Sequence, residues 1–457
     1  MKRYCLIFTL LILCSCSFDN KTGLWRDASD IPVDSEVSKS IEDGELKSIY
    51  EDVLTKQQTF NEEIDPLDNL SLDFDTPISI ANWTEEFGTS TNNISNISYS
   101  ENNNLLSKSR KLSKFSSGDD YLNRNIIFYN NSLISYDHKG KIFVYSLNLK
   151  QKTFEFDFYK KNFKNIKKKI YLIVDKDILY VSDNLGYIYA INLKKNSLTW
   201  AKNFGIPFRS NLKVKDDQLF LANQDNVIFS IKIKNGEKKW EFATSNNFLK
   251  SDFKNNFAIE IVNNNMFFLN TSGELYSISL LNQKINWIYN FKAASLGGDT
   301  DLFLSQPIVL KKNNIVISTE KTVFQYNSLS GIKNWTFPSG SILKPVLTTN
   351  YTYVLSKNNL LICIENKTGK VLWSKNIFQN TNIKNIKKKI GKLNSFQIIN
   401  NNLNLFSSSG YLLNFNYIDG NLNFIKRISK KGISSEIVFL EDNMFFIDNN
   451  NKLLKFN

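Results

Sequence analysis

The chain has 457 residues, 42% of them apolar and 13% aromatic, which is enough for a sizeable core; 57 basic residues against 44 acidic leave a net charge of +13. That balance excludes a wholly disordered, collagen-like or multispan membrane chain. Four cysteines exclude a disulfide-dense scaffold, and a single histidine argues against a histidine metal cluster or a Ser-His-Asp arrangement.

The chain opens with Met1-Lys2-Arg3, an apolar run over residues 6–13, and then Cys14-Ser15-Cys16-Ser17. The run is too short to span a bilayer, which takes about 20 residues. Basic start, short apolar run and small-residue junction together make an export signal. Leu13-Cys14-Ser15-Cys16 resembles the bacterial lipobox, which implies a signal peptide over residues 1–15 and acylation of Cys16 as the first mature residue. Ser17 after the cysteine implies sorting to the outer membrane, where acyl chains would hold the protein firmly.

Residues 16–75 read as an acidic tether. Between Asp27 and Asp75 stand fifteen acidic residues and three lysines, with a short helix predicted over 42–54. Residues 76–457 carry the opposite charge, 50 bases against 28 acids. Only six of the 57 bases are arginine, and no helix-turn-helix, zinc-knuckle or single-strand aromatic pattern accompanies them, so no nucleic-acid partner is expected. Residues 89–119, rich in Asn and Ser, are predicted to loop out of the domain as an insertion.

An internal repeat decides the fold. Gly186-Tyr-Ile-Tyr-Ala-Ile is followed by Trp200, and Gly273-Glu-Leu-Tyr-Ser-Ile by Trp287. The same fourteen-residue spacing links Asn226 to Trp240, Lys321 to Trp335 and Asn359 to Trp373, and in weaker form Gly140 to Phe154 and Gly410 to Phe424. An eighth copy begins at Asn451. The anchors average about 44 residues apart, the length of a four-stranded propeller blade. Each unit reads as short alternating strands separated by turns, with no helix between. An all-β, eight-bladed propeller over residues 76–457 is therefore predicted, the alternative being an open stack of β units with exposed edges. The eighth copy lacks a tryptophan strand, and residues 78–84 carry Trp83 without a preceding unit. Joining them closes the ring through an N-terminal strand. Trp83, Phe154, Trp200, Trp240, Trp287, Trp335, Trp373 and Phe424 are assigned to packing blade against blade, because bulk recurs at one place per unit.

The lipobox at Cys16 and the repeat Gly-x-Leu/Ile-Tyr-x-Ile…Trp resemble those of the BamB family of outer-membrane assembly lipoproteins, whose repeats are similar to those of pyrroloquinoline-quinone-dependent dehydrogenases. The resemblance implies a non-catalytic scaffold without cofactor at the periplasmic face of the outer membrane. It would bind the barrel-insertion protein of the assembly machinery and help deliver unfolded outer-membrane proteins. By the same resemblance, Ile206-Pro207-Phe208-Arg209, which follows Trp200, corresponds to the family's contact loop, with Ile206 and Phe208 as apolar anchors and Arg209 as the charged one. Asp252 is the only acid available in the corresponding loop of the next blade.

Two other functions remain open at this point. A quinone-dependent enzyme would need adjacent cysteines, a calcium site and a carboxylate base. The sequence has no adjacent cysteine pair, Cys363 reads as a packed strand residue, Asp299 and Asp301 as a loop pair, and His138 stands alone at a turn. A propeller that binds another envelope component would use the same rigid ring and exposed loops.

Overall fold

The computed structural model describes residues 16–18, 25–27, 59–113, 125–160, 163, 166–245, 256–292, 302–379 and 385–457. It falls into two compact units, Met1–Gln58 and Thr59–Asn457. In the first, Cys16–Phe18 pairs antiparallel with Trp25–Asp27.

The second unit is an eight-bladed β-propeller of four-stranded antiparallel sheets. Blades 1 to 7 span residues 127–156, 170–203, 213–243, 256–290, 309–337, 346–376 and 393–427, each built from four consecutive strands. The first strands of consecutive blades neighbour one another from blade 1 to blade 7, so they line the axis and the fourth strands form the rim. Burial follows this layout. Second strands such as Gln218–Ala222 and Asn265–Leu269 are buried on both faces, because a blade is covered by a blade on each side. Rim strands such as Lys238–Ala243 and Ile285–Asn290 alternate between exposed and half-buried. Continuous apolar runs and alternating ones thus mark depth in the ring.

Two local devices recur. Three residues before the anchor in every blade but the fifth, where Thr319 takes the role, a short polar side chain caps the turn between the second and third strands. Asp183 Oδ1 accepts from the amides of Leu185 and Tyr187 at 2.8 and 2.9 Å, Asn270 Oδ1 from those of Ser272 and Glu274, and Asp448 Oδ1 from those of Asn450 and Lys452. Between the third and fourth strands, a bulge in each of blades 1 to 7 sets the anchor aromatic opposite Val144, Ala190, Ser230, Ser277, Gln325, Cys363 or Asn414. Cys363 is a fully buried, free thiol in that series, and burial pushes its ionisation up, so it is a packing residue.

The blade tryptophans reach across the seams. Trp200 Nε1 donates to the Ile233 carbonyl of the next blade at 2.9 Å, Trp287 to Ser328 at 3.1 Å and Trp335 to Asn366 at 2.9 Å. Each indole lies on the turn that carries this carbonyl. A Cβ on Gly236 would come within 2.4 Å of the Trp200 ring, and one on Gly420 within 2.4 Å of Trp373. Both glycines also have φ above +65°, so both ring contact and backbone demand a glycine there. Phe154 is half-buried and packs into the blade 1–2 seam, whereas Trp240 packs with Phe220 and Phe242.

Two expectations need correction. Phe424, assigned to blade packing, is 41% exposed. The fourth strand of blade 8 comes from Leu105–Lys108, so blade 8 has no hairpin turn between its third and fourth strands for Phe424 to cover. Ring closure does use an N-terminal strand, but this one: Leu105 pairs with Phe456 and Lys108 with Leu454. Residues 78–84 lie instead at the inner edge, where Trp83 bridges Phe128 of blade 1 and is buried in the blade 8–1 core.

Candidate functional site

The inner strand of every blade has one free edge facing the axis, and its N–H and C=O groups need partners once water is excluded. Residues 80–97 supply them. The Trp83 and Phe128 backbones exchange two bonds at 2.8 Å, and the Thr84 carbonyl accepts from Val174 N of blade 2. The Ser90 and Thr91 carbonyls accept from Ile259 of blade 4 and Leu310 of blade 5. Asn93 exchanges bonds with Leu347 of blade 6, Ile97 N donates to Ile398 of blade 7, and the Ile80 carbonyl accepts from Glu441 beside the inner strand of blade 8. Blade 3 joins through Lys213, whose ammonium is buried and donates to Glu85 at 2.6 Å, Asn92 Oδ1 at 2.8 Å and the Thr89 carbonyl at 3.0 Å. The Asn92 amide donates onward to the Phe257 and Ile308 carbonyls of blades 4 and 5. Residues 89–99 therefore fill the axis and do not loop out, and 105–108 are the rim strand of blade 8. Free inner edges, not solvent, are what this polar stretch satisfies.

The segment leading in is docked as well. Ile64 and Ser374 pair by two backbone bonds on the rim strand of blade 6, Phe60 packs on Phe337 at 5.0 Å, and Leu72 is buried between blades 6 and 7. Burial disfavours charge on Asp75, but hydrogen bonds from Thr349 and Ser95 and the nearby Lys311 offset this and hold its carboxyl below the ordinary value. Residues 59–75, assigned from sequence to the tether, thus lie on the propeller.

Beside this axial segment lies a cavity of about 460 Å³. Its floor is Trp83, Phe87, Ile94 and Ile97, and its rim comes from the connections between blades, with Gln306, Ile342, Lys344, Lys392 and Glu436. The Lys344 ammonium stands 5.8 Å from the centre of the Phe87 ring. By area the residue is only half-buried, yet its charged end is ringed by protein, and that desolvation, partly opposed by Glu436, lowers it to about 8.

The contact loop expected from sequence connects blades 2 and 3. Ile206 and Arg209 are half-buried. Phe208 is fully buried, edge-on to Phe204 at 5.7 Å and Phe229 at 5.9 Å, and its N–H bonds the Asp183 carbonyl. Phe208 is thus a seam residue and not an exposed anchor: the blade 2–3 seam needs an aromatic where the loop bends back. Asp252, Asp299 and Asp301 lie outside the described residues. His138 is half-buried in the turn capped by Asp137. Among the described residues no three His, Cys, Asp or Glu side chains gather as metal ligands, and no helix is long and apolar enough to cross a membrane. Sequence reasoning missed Asn92, Lys213 and Lys344. Lys213 alone carried a hint, a lysine between Leu212 and Val214 at the start of an inner strand.

A family model described as outer membrane protein assembly factor BamB matches residues 164–375 and 301–456. The outer membrane protein assembly factor BamB of Moranella endobia (strain PCIT) is 18% identical over 227 residues, 45% of this chain and 56% of that relative, so the chain spans little more than half its length. The solved structure of BamB from Moraxella catarrhalis is similar with a TM-score of 0.60 at 12% identity, covering 78% of this chain and 99% of that one. The quinohemoprotein alcohol dehydrogenase ADHIIG from Pseudomonas putida HK5 is similar with a TM-score of 0.59 at 8% identity, covering 83% and 80%. At such identities both likenesses speak for the fold alone.

Proposed function

The chain belongs to the family of outer membrane protein assembly factor BamB, and we infer from this that it is a non-catalytic scaffold for assembling β-barrel proteins in the outer membrane. The family match over residues 164–456 is the observation that carries the reading. In this reading Cys16 bears the lipid anchor at the periplasmic face, the acidic residues after it give reach, and the ring docks the barrel-insertion protein. Ile206 and Arg209 are the contact residues retained for that docking, and Phe208 holds their loop to the seam. Unfolded outer-membrane proteins are the cargo.

The quinone enzyme is the reading this chain fits poorly. Residues 80–97 occupy the axis of the ring, and the Cys363 thiol is sealed in blade 6. The likeness to quinohemoprotein alcohol dehydrogenases therefore carries fold and not chemistry.

Affinity capture from solubilised membranes tests the scaffold. The wild-type chain should recover the barrel-insertion machinery. The double variant Ile206→Asp with Arg209→Glu should lose it while melting at the wild-type temperature. Capture without that machinery refutes the reading. Cys16→Ala should move the protein from the detergent phase to the aqueous phase on phase separation.

A further inference from the structure

The axial cavity has a composition that the scaffold role does not use. Its volume of about 460 Å³ falls within the range of about 300–1,000 Å³ typical of small-ligand pockets. It is blind, because residues 80–97 close the channel beneath it. Its floor is apolar and partly aromatic, with Trp83, Phe87 and Phe396, while Ile342 stands at the rim. One cation, Lys344, stands over that floor and makes no ion pair among the described residues; its described neighbour is the face of Phe87. The burial of this ammonium on its aromatic floor is only partly offset by Glu436, and an anion bearing an apolar body supplies further counter-charge and covers the floor.

We propose that this cavity binds a small amphipathic carboxylate, its anion paired to Lys344 and its apolar body resting on Trp83, Phe87 and Phe396. The mouth supplies the remaining polar contacts. Lys392 adds a second cation and Asn394 an amide whose two polar atoms have no partner. Glu86 and Glu436 are the acids facing the same space. Glu436 favours the charged form of Lys344, and both acids restrict the site to a single negative charge, since a second carboxylate would meet them unpaired. The lowered Lys344 value agrees with a cation waiting for a partner, and it sets the pH at which the site fails.

Calorimetric titration of the full chain with 3-phenylpropionate, and with its neutral amide as control, tests the proposal. The acid should bind and the amide should bind at least about tenfold more weakly, the scale of one charge-assisted contact. Lys344→Met should weaken the acid by a similar factor and leave the amide unchanged, and Lys344→Arg should keep acid binding. The probe stays ionised between pH 6.5 and 9.5, so affinity for the acid should fall as pH rises above the Lys344 value of the unliganded chain, about 8. Equal binding of acid and amide, full affinity in Lys344→Met, an affinity that ignores pH over this window, or no binding at all would each overturn it. If Lys344→Met does not fold, Lys344→Arg and the pH series on the wild-type chain still decide. The outcome is independent of whether the protein captures assembly partners.

Discussion

The rim and the axis of this ring solve the same problem by opposite means. At the rim, blades are joined one seam at a time by a repeated device, an indole on the turn of the next blade, whose N–H bonds a backbone carbonyl at Trp200, Trp287 and Trp335 and makes no such bond at Trp373. At the axis, a single non-repeating stretch, residues 80–97, reaches all eight blades and spends its polar groups on their free inner edges. A repeated joint confines damage to its seam, in the manner of other repeat architectures. A shared joint spreads it. The central hub is also electrostatic, since Lys213 is buried with Glu85 and Asn92, whereas the rim locks are apolar and neutral.

The largest effect should therefore come from the hub. Lys213→Met removes the cation and leaves Glu85 without its partner at a largely buried site and Asn92 Oδ1 with only the 3.5 Å bond from Asn211, and breaking such a pair costs about 3–5 kcal/mol. Denaturant midpoints should report the loss. Hydrogen exchange should show faster opening of the inner strands of blades 3, 4 and 5 together, because Asn92 also holds the Phe257 and Ile308 carbonyls. Loosening of blade 3 alone would erase the distinction between rim and axis.

Trp373→Ala comes next. The side chain is fully buried, and truncations of this kind cost about 3–5 kcal/mol, toward the lower end where a neighbouring turn can settle into the space. Its exchange signature should stay within blades 6 and 7. Gly420→Ala attacks the same seam from the other side. The new methyl would meet the Trp373 ring at a backbone angle of +70°, and overpacking of this kind costs about 1–3 kcal/mol. If the two variants loosened different seams, the lock between them would be refuted.

A smaller effect separates the turn caps. Asp183 is fully buried, and burial raises its carboxyl above the ordinary value despite hydrogen bonds from Tyr159 and the backbone amides of Tyr187, Leu185 and Gly186. A folded value above the unfolded one contributes stability that is complete below the unfolded value and lost as pH rises through the folded value. Stability should thus decline across that window. Asp183→Asn, which installs the residue found at positions 223 and 270, should remove this slope while keeping the turn. A wild-type profile flat across the window would contradict the assignment.

The same contrast explains what the sequence made legible. The ring of eight could be read because the anchors recur about every 44 residues, seven of them fourteen residues before an aromatic, and because burial on both faces writes apolar runs at similar intervals. The axial segment could not be read, because its contacts are mostly backbone bonds to strand edges, and Thr89 to Asn93 look like any polar loop. Docking of residues 59–75 was hidden for a related reason: acidic composition suggested solvent, yet Phe60, Ile64 and Leu72 are the residues that engage the blades. Phe208 was misread because an aromatic before an arginine looks the same in a contact loop and in a seam, and only the enclosure by Phe204 and Phe229 distinguishes them.

Phe424 offers the finest test of the rim rule. It occupies the repeat position of Trp373, opposite Asn414 across the same bulge, and differs only in what the next blade presents. Blade 8 takes its fourth strand from Leu105–Lys108, so no hairpin turn covers the Phe424 ring, which borders Glu101 and Asn103 instead and stays 41% exposed. If the lock needs both partners, Phe424→Ala should change stability by no more than about 0.5 kcal/mol, the usual range for an exposed site. Phe424→Trp should gain nothing either, since a larger ring without a turn to cover adds surface and not contact. A loss in Phe424→Ala approaching that of Trp373→Ala would mean that the aromatic stabilises its own blade, and the seam would no longer account for the repeat.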